Sequence, residues 1–129
     1  MTDTRLDTWH KVVFTKDMDL LKTLLADDVE FHSPFLFKPK HGPEVLSFIL
    51  AAIIDITENF TYHREFTEGD DMALEFSANV GDIQIKGIDL IHYNADGKID
   101  HFEVMLRPAK ALMTVAGLMT ERMEKAGLI

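Results

Sequence analysis

Cysteine is absent from the 129 residues, so neither a disulfide framework nor thiol chemistry is available, and a reduced, cytoplasmic setting is the simplest expectation. Basic side chains are also scarce. Thirteen lysines and arginines face 22 acids, a formal charge of −9, so a phosphate backbone is repelled over most of the surface and nucleic acid is not an expected partner. No apolar run is long enough for a membrane: the longest, Val45 to Ile56, is about half a bilayer span and is interrupted by Ser47 and Asp55. The N-terminal MTDTRLDTWHK lacks the apolar stretch of a signal peptide. Repeats and low-complexity runs are missing too. What is present is ordinary globular material, 47% hydrophobic and 27% charged, in a length that suits one domain over residues 1–129.

Helical periodicity comes first along the chain. Leu6, Trp9 and Val13 recur at spacings of three and four between Thr4 and Phe14, and Leu20, Leu21, Leu24 and Leu25 supply the buried side of a second helix begun at Asp17 and Asp19. The stretch ADDVEFHSPF then alternates Val29, Phe31 and Ser33 against Glu30 and His32, as a short strand does, and Pro34 and Pro39 make the next segment a loop. Gly42 and Pro43 open a long helix to about Thr57, with Leu46, Ile49, Leu50 and Ile53 inside. Four β-rich runs follow: Phe60 to Phe66, Met72 to Val80, Ile83 to Tyr93 and Ile99 to Arg107. The connections EGDD, GD and NADG are too short for anything but antiparallel neighbours. A last helix spans Pro108 to Ala126, with Leu112, Ala116, Met119 and Met123 as its stripe and Gly117 weakening its middle. The fold class is α+β, a curved antiparallel sheet wrapped around N-terminal helices with an additional C-terminal helix.

One charged residue, Asp89, interrupts the apolar letters of GIDLIHY. Pairing Tyr93 with Lys98 sets Asp89 opposite Phe102, Gly87 opposite Val104 and Ile85 opposite Leu106, so the carboxyl shares its face with Ile85, Ile91, Phe102, Val104 and Leu106. Lys86, His92, His101, Glu103 and Arg107 collect on the other face, which is therefore the outer one. A carboxylate among apolar side chains is driven toward its neutral form, and a neutral acid can donate a hydrogen bond to a carbonyl. The alternative is an acid that reaches solvent at a sheet edge, or one satisfied by Trp9 or by backbone groups.

The six histidines, His10, His32, His41, His63, His92 and His101, form no HxxH or HxH pair, so no metal is expected. G-x-S-x-G, Walker and dinucleotide fingerprints are missing as well, and no cofactor is expected.

Taken together, LLADDVEFHSPF, HGPEVLSFI and GIDLIHYNADGKIDHFEVML resemble the superfamily of nuclear transport factor 2, the SnoaL-like polyketide cyclases and the bacterial steroid Δ5-isomerases, over about residues 4 to 107. The resemblance implies a cystatin-like cone with an apolar pocket, in a homodimer packed sheet on sheet. It puts Asp89 where the isomerases carry a neutral aspartic acid, and Phe102, Val104 and Leu106 in the pocket. Elsewhere the match fails: Trp9 stands in for the oxyanion-hole tyrosine, Ser33 for the general-base aspartate, and Leu25 and Leu50 for further tyrosines. A serine hydroxyl is no base at working pH, so a true ketosteroid isomerase is not expected.

Asp89 is thus the candidate catalytic residue. The candidate pocket residues are Trp9, Val13, Phe31, Ser33 and Leu50 from the first half of the chain, and Phe76, Ile91, Phe102, Val104 and Leu106 from the second. The expected function is binding of a small apolar molecule with a carbonyl or hydroxyl, oriented by Asp89 and Trp9. The alternatives are an isomerase or cyclase that uses Asp89 as acid/base, and a protein-binding adaptor.

Overall fold

The structure, a computed structural model, describes residues 4–128. Helix α1 (Thr4–Thr15) buries Trp9, Val12 and Val13, and α2 (Met18–Leu24) starts at Asp17, whose carboxylate accepts from the Leu20 N–H at 3.0 Å and satisfies one donor of the open first turn. Leu25, expected on the helix, opens strand β1 (Leu25–His32) instead. After the two-residue strand β2 (Lys40–His41) comes α3 (Pro43–Ile56), entered through Gly42 at φ 98°, a left-handed backbone that favours glycine. The Gly42 N–H donates to Val29 O at 3.0 Å, which ties the start of α3 to β1. Strands β3 (Glu58–Glu68), β4 (Asp71–Val80), β5 (Ile83–Tyr93) and β6 (Ile99–Arg107) form the predicted meander, and α4 (Ala109–Lys125) closes the chain. Among the described residues no helix is long and apolar enough to cross a membrane.

The six strands lie in the order β2-β1-β6-β5-β4-β3. Every neighbouring pair is antiparallel except β1 and β6, which run parallel because the rest of the chain lies between them and can carry it back to the same end. Trp9, Phe31, Leu46, Ile49, Leu74 and Phe102 form the centre of the core, between the helices and the concave face. Burying each such side chain contributes roughly 1.5–3 kcal/mol.

The β5–β6 register differs from the expected one. Asp89 lies opposite Val104, Gly87 opposite Leu106 and Ile91 opposite Phe102, a slide of two residues. The turn is wider than a four-residue connection: Asn94 N–H donates to Lys98 O, the Asn94 side chain accepts from the amides of Asp96 and Lys98, and Tyr93 pairs with Ile99 ahead of an irregularity at Asp100. An even slide keeps every side chain on its face, so the inward direction of Asp89 is unaffected. Gly87 sits mid-strand because nothing larger fits. A Cβ there would meet Met105 O at 2.6 Å, Phe76 Cζ at 2.6 Å and Leu106 Cδ2 at 2.7 Å.

On α4 the buried stripe is Ala111, Val115 and Met119, with Leu112 and Ala116 only half-buried. The predicted stripe is off by one residue at its start, and Met123 packs against the core from the side. The helix lies against β5, β6 and α3, on the concave side of the sheet.

Candidate functional site

The concave face and the helices enclose a cavity of about 60 Å³. α1 contributes Trp9, Val12 and Val13, α3 contributes Ile49, Leu50, Ile53 and Ile54, and α4 contributes Val115. Phe31, Pro34, Phe35 and Thr57 complete the helix side, and the sheet adds Phe60, Tyr62, Phe76, Ile85, Asp89, Phe102, Val104 and Leu106. Asp89 is the one charged residue among them. The lining at Phe35, Ile53, Ile54, Thr57 and Phe60 is only half-buried, so this side opens toward solvent. An apolar cavity of ~150 Å³ holds benzene. The space is therefore that of a few heavy atoms until side chains at the open side move.

Asp89 is 6% exposed, on β5 between Leu74 of β4 and Val104 of β6. Its hydrogen-bond partner is Tyr62 of β3, whose hydroxyl donates to Asp89 Oδ2 at 2.8 Å, while Trp9 Nε1–H of α1 donates to the Tyr62 oxygen at 2.9 Å. Trp9, Tyr62 and Asp89 thus form a directed chain of donors that ends on the carboxyl. Ring packing fixes the chain: Trp9 lies 5.3 Å from Phe102, and His10 of α1 stacks on Tyr62 at 5.4 Å while its own imidazole meets the Glu65 carboxylate.

Burial pushes the Asp89 carboxyl up to about 7 from an ordinary 3.8, against the opposing pull of the Tyr62 hydrogen bond. Burial, then the nearby charge of Asp89, raises the Tyr62 phenol well above its usual 10. Tyr62 therefore stays a donor at neutral pH. Asp89 holds its proton about half the time there, and can accept a hydrogen bond or a proton in one form and donate in the other.

Of the residues predicted from the sequence, Asp89, Trp9, Val13, Phe31, Leu50, Phe76, Phe102, Val104 and Leu106 line this cavity together. Ser33 and Ile91 do not. β1 ends at His32, so alternation no longer governs Ser33, and its hydroxyl turns to the loop to accept from the amides of Phe35 and Leu36 at 3.3 and 3.2 Å. Ile91 lies nearer the turn end of β5, where the core is filled, and packs at 2% exposure between Met72 and Phe102. Trp9 needs a correction of role: its N–H is engaged by Tyr62 and reaches Asp89 only through it.

Tyr62 is the side chain of this site that the sequence did not announce. Two register irregularities in β3, between Glu58 and Thr61 and between Tyr62 and Glu65, break the alternation that would have shown its face. The remaining signal was compositional: it is one of only two tyrosines, and it follows Phe60 at the two-residue spacing of one strand face.

Residues 6–102 match the family of the SnoaL-like domain. Among solved structures, the chain is similar to a steroid delta-isomerase from Pseudomonas aeruginosa, 38% identical over 98% of this chain and 93% of that one, with a TM-score of 0.90. It is also similar to an uncharacterized bacterial protein with a cystatin-like fold from Silicibacter pomeroyi, 34% identical over 93% and 85% of the two chains, TM-score 0.88. A de novo designed protein with a curved β-sheet, 12% identical over 92% and 99%, reaches a TM-score of 0.70 and shares the fold alone. Curated proteins give no match.

Because the folded carboxyl binds its proton more tightly than the unfolded one, stability falls as pH rises from about 4 to about 7 and is level above that. Asp89→Asn removes this term. Its stability relative to the parent chain, measured by urea unfolding, should therefore improve by roughly 2–3 kcal/mol between about pH 5 and pH 8. An equal difference at both pH values would mean that the carboxyl is not desolvated.

Proposed function

The chain belongs to the SnoaL-like family, and from that premise we propose that it binds a small, mostly apolar molecule carrying one carbonyl or hydroxyl, with Asp89 as the group that orients it. The observation that carries this reading is the single charged residue in an apolar lining, held at Oδ2 by Tyr62. In the neutral form Asp89 donates to a carbonyl; in the ionised form it accepts from a hydroxyl. Size limits the ligand. Sites for drug-sized molecules span roughly 300–1,000 Å³, so a steroid would require larger displacements at Phe35, Ile53 and Phe60 than a ring of five or six atoms would.

A second reading, an isomerase or cyclase with Asp89 as acid/base, is favoured by one specific observation: the carboxyl is poised near 7 beside a phenol donor. The similar structure from Pseudomonas aeruginosa, a steroid delta-isomerase, supports it, whereas Ser33, turned into its loop, offers no second base. Proton transfer would then rest on Asp89 alone, which removes a proton from one carbon of the ligand and returns it to another. A cytoplasmic setting suits a chain without cysteine.

An exposed apolar patch supports the homodimer that the resemblance implies. Phe66 and Met105 are 63% and 49% exposed on the convex face, with the half-buried Ile88 and Leu90 beside them, and we assign this patch on β3, β5 and the end of β6, rather than the β1 part of the face, to a second copy. Sedimentation of the parent chain should give a dimer and that of Phe66→Glu a monomer; two monomers would reject the assignment.

Trp9, the only tryptophan, lines the cavity and reports on its occupant. Titrating cyclopentanone against its fluorescence should show affinity dropping about tenfold per pH unit above 7, as the donor form disappears, and no such slope in Asp89→Asn. A pH-independent titration in the parent chain would sink the binding role of Asp89. For the catalytic reading, exchange of ketone α-protons in D₂O should be accelerated by the parent chain, rise with pH to a plateau above 7, and vanish in Asp89→Asn. Exchange no faster than in buffer leaves binding alone.

A further inference from the structure

The convex face carries a second cluster of polar side chains, separate from the cavity. On β1, Glu30 and His32 are two residues apart and share that face, and the parallel β6 places His101 across from Glu30. One ring nitrogen from each imidazole and one Glu30 oxygen all lie within 4.8 Å of one another. His32 Nε2 and Glu30 Oε2 are 3.2 Å apart, and the rings of His32 and His101 stack with centroids 4.6 Å apart at 29°. In a tetrahedral site with metal–ligand bonds of ~2.0–2.1 Å, neighbouring donor atoms are about 3.3 Å apart. Small rotations would bring these three donors around one ion.

We propose that Glu30, His32 and His101 bind a divalent first-row transition ion of the zinc kind, with a fourth coordination position open to water. Donor chemistry selects this class: imidazole nitrogen suits zinc, nickel and copper, whereas magnesium and calcium prefer all-oxygen sets. All three side chains are half-buried, so part of their freedom is already lost, and the chain's charge of −9 favours a cation. Phe31, between Glu30 and His32, and Phe102, next to His101, point to the opposite face and line the cavity. The ion would therefore sit one sheet thickness from the cavity, and its binding does not depend on the function proposed for Asp89. No HxxH or HxH spacing announces the site, because two of its ligands form an E-x-H on one strand and the third comes from a strand late in the chain.

Calorimetric titration of the tag-free protein with ZnCl₂ tests it. Expected are one ion per chain, a Kd in the micromolar range or tighter, no binding of Mg²⁺, and at least tenfold weaker binding in His32→Gln and in His101→Gln. His92→Gln, one strand further on and engaged with Asp100 at 2.7 Å, should bind like the parent. Circular dichroism checks that the variants are folded, and Glu30→Gln serves in place of either that is not. Loading the parent chain with Co²⁺ should give visible bands of a four-coordinate nitrogen and oxygen site. An absence of zinc binding, or zinc affinity retained in the His32→Gln/His101→Gln double variant, would overturn the proposal.

Discussion

A carboxyl kept from water by an apolar cone, with a phenol on one oxygen, is the constraint around which this molecule is arranged. Keeping Asp89 charged inside the fold costs about 4 kcal/mol, at ~1.4 kcal/mol for each tenfold change in proton affinity. Domains of this size are stable by roughly 5–15 kcal/mol in total. Leucine or isoleucine at the same position would carry no such cost. Elements distant in sequence nevertheless converge on the group: α1 brings Trp9, β3 brings Tyr62, and β5 holds the acid itself. A polar residue kept at that expense and linked across three elements is the arrangement on which the role proposed for Asp89 rests.

Two local features, a glycine in β5 and an irregularity in β3, shape the surroundings of Asp89. Gly87, two residues earlier on the same face, lets the Phe76 ring and the β6 backbone close in where a side chain would otherwise stand. In β3, the irregularity after Tyr62 sets Glu65 opposite Leu74 and so beside α1, where it pairs with His10, and His10 in turn covers the phenol. A regular β3 would alternate through this stretch and turn either Tyr62 or Glu65 away from α1.

Those irregularities also explain which parts of the site were legible in the sequence. Turn chemistry located α3 and the meander, since Gly42-Pro43, NADG and the other breaks admit few backbone paths. Strand parity placed Asp89 inside although the assumed register was two residues off, because only an odd error reverses a face. Where parity itself breaks, the reading broke with it. Tyr62 was hidden by bulges, Ser33 by the end of its strand, and the Glu30–His32–His101 cluster by a parallel pairing that joins the first strand to the last. The one-residue offset of the α4 stripe has a different cause: its helix is apolar on several sides, and only docking decides which side is covered.

β1 and β6 present different side chains on their two faces, and the period of two is what separates them. Phe31 and Phe102 face the cavity, where burial raises a lone acid toward neutrality, while their neighbours Glu30, His32 and His101 face outward and stay half-exposed to water. The two environments impose opposite demands on a carboxylate. Inside, a carboxylate must do without water; outside, it keeps it. Exchanging Asp89 and Glu30 between faces would defeat both, so the strand pleat, more than the identity of the acids, decides what each carboxylate can do.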